Sequence, residues 1–164
     1  MDFSTQLPLS NTFDSILVVV DRFSKMAIFI QTYGKITVLE LPQIFIRLVF
    51  SKHGLPVRIV SDRGSLFVSL FSTNLYGQTE RVNQIVELYL WMYVSYHQDD
   101  WYTWLPLAEF AYNNSEHSST MQSPFFTIYG RNPSFDSIHI SQDSPAGKLL
   151  TKLQSVQQAV KEEL

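Results

Sequence analysis

The chain has 164 residues, no cysteine and a formal net charge of -3 at pH 7. That length fits one domain with a real core, and 16% charged against 45% hydrophobic residues excludes a disordered chain. Without cysteine there is no disulfide scaffold, no thiol nucleophile and no Cys-ligated zinc.

Charge is unevenly spread. Residues 1–63 hold seven Lys/Arg against five Asp/Glu, residues 64–130 hold Arg81 against six acids, and residues 131–164 hold four of each. No basic face is apparent, so composition alone does not point to nucleic acid. No apolar run approaches the ~20 residues of a membrane span. The first residues show no signal-peptide pattern. The expectation is a soluble intracellular protein with no membrane partner.

Residues 15–21 and 26–31 are β-branched and aromatic runs separated by a hairpin-sized gap, which predicts two adjacent strands, the first buried on both faces. Residues 41–53 predict a helix with Pro42 in its first turn and Ile44, Phe45, Leu48 and Val49 as its apolar stripe. Lys52, His53, Gly54 and Pro56 form its stop signal. Residues 57–61 predict another short strand, giving a β-β-α-β order and an α/β domain with helices on a mixed sheet. Residues 78–96 carry no Gly or Pro and predict a long helix, apolar nearly all round from Leu88 to Tyr96. Residues 104–113 predict a further helix after a turn-like Gln98-Asp-Asp-Trp101. A short aromatic stretch over 123–133, a polar loop over 134–147 and a terminal helix over 147–164 follow.

Three carboxylates stand out. Asp62 follows a predicted strand and opens Ser61-Asp-Arg-Gly-Ser65, a place suited to a metal-ligand Asp, although on the isolated string an Asx turn capping backbone N–H groups is the commoner reading. Glu80 begins the long helix, where it also complements the helix dipole. Asp2 lies at the start of the chain, where an Asp is ordinarily just solvated. His53, His97 and His139 have no metal-ligand spacing, and His117 reads as a loop hydrogen-bonding residue. Asp99, Asp100 and Trp101 read as structural.

Taken with the strings around them, these residues closely resemble the integrase catalytic core of gypsy-class LTR retrotransposons. Asp2 in Met-Asp-Phe, Asp62 in Ile-Val-Ser-Asp-Arg-Gly-Ser and Glu80 in Gly77-Gln-Thr-Glu-Arg-Val-Asn-Gln84 carry the likeness. So do Asp14-Ser-Ile-Leu-Val-Val-Val-Asp-Arg22, His53-Gly-Leu-Pro56, Gln98-Asp-Asp-Trp101, Leu105-Pro-Leu-Ala-Glu-Phe-Ala-Tyr-Asn-Asn114, His117-Ser-Ser-Thr120 and Ser123-Pro-Phe125. The match is collinear over about residues 1–140, leaving 141–164 as a C-terminal loop and helix.

The resemblance implies a ribonuclease-H-like α/β fold, a mixed sheet with flanking helices. It implies Asp2, Asp62 and Glu80 as catalytic and metal-binding residues for two Mg²⁺ (or Mn²⁺) ions. The implied activity is DNA 3′-end processing and strand transfer, acting on element ends and target DNA. Arg63, Gln78, Arg81, Asn83 and Gln84 are the implied DNA contacts. For Arg81, an ion pair with Glu80 or Glu87 on the helix is the competing reading. By the family's task the location is nuclear, although no basic import cluster is seen.

Two features depart from the family. Only 17 residues separate Asp62 from Glu80, about half the family's interval. A mean helix and strand need roughly 17 residues before any connections are counted, so an internal deletion is inferred, with one helix and one edge strand missing. The first strand is also truncated ahead of Asp2. Metal chemistry needs ligands held to about half an ångström, so the expectation is an incomplete and inactive core. The alternatives are a non-catalytic interaction module, pairing with another copy or with an intact integrase, and a degenerate element remnant.

Overall fold

Three strands form in the computed structural model, which describes residues 1–61, 99–133 and 151. They are β1 (Asp2–Ser4), β2 (Ser15–Val20) and β3 (Ala27–Thr32), antiparallel and in the order β1-β2-β3. The register runs Asp2↔Val18 to Ser4↔Ile16 on one side of β2, and Ser15↔Thr32 to Val20↔Ala27 on the other. Asp-Phe-Ser has little intrinsic strand preference. β1 exists because β2 offers it a ladder.

β2 is central, and its side chains alternate between two cores. Ile16 and Val18 pack with Phe29, Trp101, Leu105, Ala108 and Tyr112 on one face. Leu17 packs with Met1, Ile30, Ile36, Leu41, Phe45 and Val49 on the other. This double burial is what a continuous Ile-Leu-Val run is suited to. The β2–β3 connection is tied by the Asp21 carboxylate, which accepts from the Ser24 amide at 2.8 Å and its hydroxyl at 2.6 Å. Lys25, at φ 64°, takes the left-handed position that closes the turn.

The predicted helix over 41–53 is present as one continuous rod, α1 (Glu40–Phe45), a π-helical stretch (Ile46–Phe50) and α2 (Ser51–His53). Its start is tied by Thr37 and Glu40. The Thr37 hydroxyl accepts from the Glu40 amide, while the Glu40 carboxylate accepts from the Thr37 amide at 2.9 Å. Phe45 and Val49 are buried as the stripe predicts, and Ile44 and Leu48 flank them. Gly54, at φ 78°, ends the rod in a conformation costly for a residue with a Cβ.

Two further helices are described: α3 (Trp101–Asn113) and α4 (Pro124–Tyr129). α3 opens at Trp101, three residues earlier than expected, so Trp101 is the first helical residue rather than part of a turn. It is buried, and its indole N–H donates to the Pro8 carbonyl at 2.6 Å. The indole N–H of Trp104 donates to the Asp100 carboxylate at 3.0 Å. These contacts give Asp100 and Trp101 the structural role read for them. α4 occupies part of the stretch over 123–133, capped by the Ser123 hydroxyl, which accepts from the Phe126 amide.

Residues 57–61, expected as a strand, are irregular. The Val60 carbonyl accepts from the Met1 amino group at 2.7 Å, and Ile59 packs against the core of α1. The three described strands pair antiparallel. The helix over 78–96, the loop over 134–147 and the helix over 147–164 lie outside the described residues, apart from Thr151, which is helical.

Candidate active site

Asp2 is the one member of the expected carboxylate set among the described residues. It is half-buried in β1, and its Oδ1 accepts from the Phe3 amide at 2.8 Å. Its cross-strand partner Val18 belongs to the core beneath α3, whereas Met1 and Phe3 turn toward the core of α1. Successive strand residues face opposite ways, so Asp2 presents its carboxylate on the α3 side of the sheet.

The other edge of β1 lies against the segment leading to Asp62. The Met1–Val60 hydrogen bond sets that neighbourhood across 59 residues of sequence. Ser61 follows at once, 3% exposed, and its hydroxyl has no hydrogen-bond partner. Residue 2 and residue 61 therefore stand on adjoining lines of chain. Asp62 is the next residue, but Asp62, Arg63, Gln78, Glu80, Arg81, Asn83 and Gln84 all lie outside the described residues. Among the described residues, no group of three His, Cys, Asp or Glu is placed to hold a metal.

His117 behaves as its loop setting suggests. Its Nδ1 lies 3.2 Å from the Ser119 amide and 3.0 Å from the Ser119 hydroxyl, and its backbone amide donates to the Gln122 carbonyl. His53 is exposed in the last turn of α2. Ser61 is the residue that sequence reasoning passed over. A lone Ser ahead of an Asp carries no local signal, and only its burial beside β1 draws attention to it.

No protein-family model matches the chain. The Tf2-3 and Tf2-4 transposon polyproteins of Schizosaccharomyces pombe are each 32% identical over 158 residues, spanning 85% of this chain and 12% of the polyprotein. The catalytic core domain of HTLV-2 integrase, solved in complex with magnesium in a trimeric form, superposes with a TM-score of 0.58 at 19% identity. That superposition covers 76% of this chain and 91% of the other. The chain is a retroviral-integrase-like core.

The integrase-like core spans about an eighth of the polyproteins it matches. Its fold is the incomplete ribonuclease-H-like arrangement that the sequence implied. The aligned stretch of 158 residues is longer than the 85% share of this 164-residue chain that it covers. The relatives therefore carry residues within that stretch that the integrase-like core lacks.

Proposed function

We propose that this core descends from a metal-dependent DNA-joining enzyme, one that trims DNA 3′ ends and transfers strands, and that its catalytic site no longer works. The observation that carries the reading is the Met1–Val60 hydrogen bond, which lays the strand of Asp2 beside the segment entering Asp62. In this reading Asp2, Asp62 and Glu80 form the ligand set. Their oxygens suit two hard ions, Mg²⁺ or Mn²⁺, which when bound activate the attacking oxygen and stabilise the leaving one. Asp2 fits as a member, because its carboxylate is oriented by the Phe3 amide and faces one defined side of the sheet.

The partner in this reading is DNA, both element ends and target, approached through Arg63, Gln78, Arg81, Asn83 and Gln84. Arg81 and Gln84 are three residues apart in sequence, a spacing that on the helix expected from the sequence would suit phosphate contacts. The core is assigned to residues 1–140, the rest to a C-terminal loop and helix, and the place of action to the nucleus. Self-association or pairing with an intact integrase is part of the same reading.

Loss of activity follows from spacing. Glu80 must approach Asp2 from the α3 side of the sheet, and only 17 residues carry the chain there from Asp62. An extended chain of that length has the reach, but reach does not hold oxygens to about half an ångström. The residues missing relative to the polyproteins fit a deletion in that interval. A strand-transfer assay with short labelled DNA ends in Mg²⁺ or Mn²⁺ tests this. No product above that of Asp62→Asn is expected, and product abolished by Asp62→Asn would overturn it.

A further inference from the structure

The β2–β3 hairpin carries opposite chemistry at its two ends. At the turn, Arg22 and Phe23 are exposed, Phe23 to 83%, and Lys25 follows, so two cations flank a bare ring. The acid beside them, Asp21, is turned inward to the Ser24 amide and hydroxyl. The Ser24 hydroxyl in turn accepts from the Met26 amide at 3.2 Å. The turn therefore holds Phe23 out to solvent in a fixed position.

At the far end, Asp14 and Tyr33 continue the register past Ser15↔Thr32. The Asp14 Oδ1 accepts from the Ser15 hydroxyl at 3.0 Å and from the Gly34 amide at 2.5 Å, and among the described residues its Oδ2 has no partner. Tyr33 is 47% exposed and is backed by Phe13 at 5.1 Å, itself stacked on Tyr102 at 5.4 Å. Lys35, exposed two residues on, offsets one of the two carboxylates Asp14 and Glu40. The six residue pairs of the ladder hold the two ends roughly 20 Å apart. They cannot meet within one molecule.

We propose that the Arg22–Lys25 turn of one copy of this chain docks on the Asp14–Tyr33 end of a second copy, head to tail. Phe23 lies against the Tyr33 ring, an aromatic pair with two further rings behind it. Arg22 or Lys25 reaches the open Oδ2 of Asp14. Each end is the complement of the other, cations with a bare ring against a carboxylate with a bare ring, which is why the occupant is the same chain. The two surfaces differ, so every pair leaves one turn and one Asp14–Tyr33 end free, and assembly runs past the dimer or closes as a ring. The contact rests on the self-association in the proposed function and needs none of Asp2, Asp62 or Glu80.

Sedimentation velocity of the whole chain in EDTA, from about 10 μM to 1 mM, tests it. A mass that climbs with concentration, with a midpoint on the order of 100 μM, is expected for a contact this small. Raising the salt from about 50 mM to 500 mM weakens it about threefold or more. Phe23→Ser, at a position with little packing to lose, and Tyr33→Ser each weaken it about tenfold or more. An equal mixture of the two variants associates again but stops at a dimer, since each keeps the end that the other lacks. No association up to about 1 mM, or a mixture that stays monomeric while both variants unfold cooperatively, would overturn the proposal. Association indifferent to Phe23→Ser would overturn it too, leaving self-association to another face.

Discussion

Asn113, the last residue of α3, closes the outer edge of the sheet by bonding Ala27 twice. Its Oδ1 accepts from the Ala27 amide at 2.9 Å and its Nδ2 donates to the Ala27 carbonyl at 2.8 Å. One turn earlier, Glu109 Oε2 accepts from the Phe29 amide at 2.7 Å. A helix laid along β3 thus takes over the hydrogen bonds that a further strand would make, and the edge is covered rather than left to pair with other chains.

Replacing Asn113 by Ala strands a buried amide and a buried carbonyl on Ala27. Each such group costs about 1–3 kcal/mol, so Asn113→Ala is expected to lower the unfolding free energy by roughly 2–6 kcal/mol. Asn113→Asp keeps the acceptor but loses the donor and falls between. Urea unfolding of the three proteins checks the order.

Glu109 gives the same edge a pH dependence. Burial pushes its carboxyl above the usual range, while the Phe29 amide and the charge of Lys52 oppose the shift. The native state therefore binds the proton more tightly than the unfolded chain does. Its contribution is fully present below the unfolded value near 4.5 and is lost as pH rises through the higher native value. Glu109→Gln keeps an acceptor for Phe29 without the buried charge. The stability of the variant relative to the original should rise between pH 4 and pH 7, measured by urea unfolding at both. A difference independent of pH would contradict this account.

Tyr112 is buried against Phe29, with ring centroids 6.0 Å apart, and its hydroxyl has no hydrogen-bond partner. Burial pushes the phenol up to about 12. Removing an unsatisfied buried hydroxyl while keeping the ring relieves a desolvation cost, so Tyr112→Phe should stabilise the core by about 1 kcal/mol. Thermal melts of the two proteins at equal concentration test it, and a lower melting temperature for the variant would count against it.

Much of this fold could be read locally. The Ile-Leu-Val-Val-Val run gave a strand with two buried faces, and Gly54 after Lys52 and His53 gave the helix end, because each signal lies within a few residues of its effect. The failures share a cause. Trp101 begins α3 because its indole reaches Pro8, 93 residues away in sequence, which the acidic turn before it does not announce. Residues 57–61 have strand composition but are irregular, with the Val60 carbonyl bonded to the Met1 amino group. The edge role of Asn113 depends on Ala27, 86 residues distant, and an Asn at a helix end reads as an ordinary terminus. Within the candidate site, Asp2 was legible only through its surrounding strings, and its orientation came from the register with Val18.

The proposed function has the fold of an integrase-like core persisting around a carboxylate site that is no longer preorganised. The most direct measurement is a thermal melt of the purified chain with and without Mg²⁺ or Mn²⁺, repeated on Asp62→Asn. The account predicts a cooperative transition, carried by the two cores around β2, whose midpoint is indifferent to metal and to the substitution. A midpoint raised by metal in the original chain but not in Asp62→Asn would contradict it, because binding to the native state alone must stabilise that state.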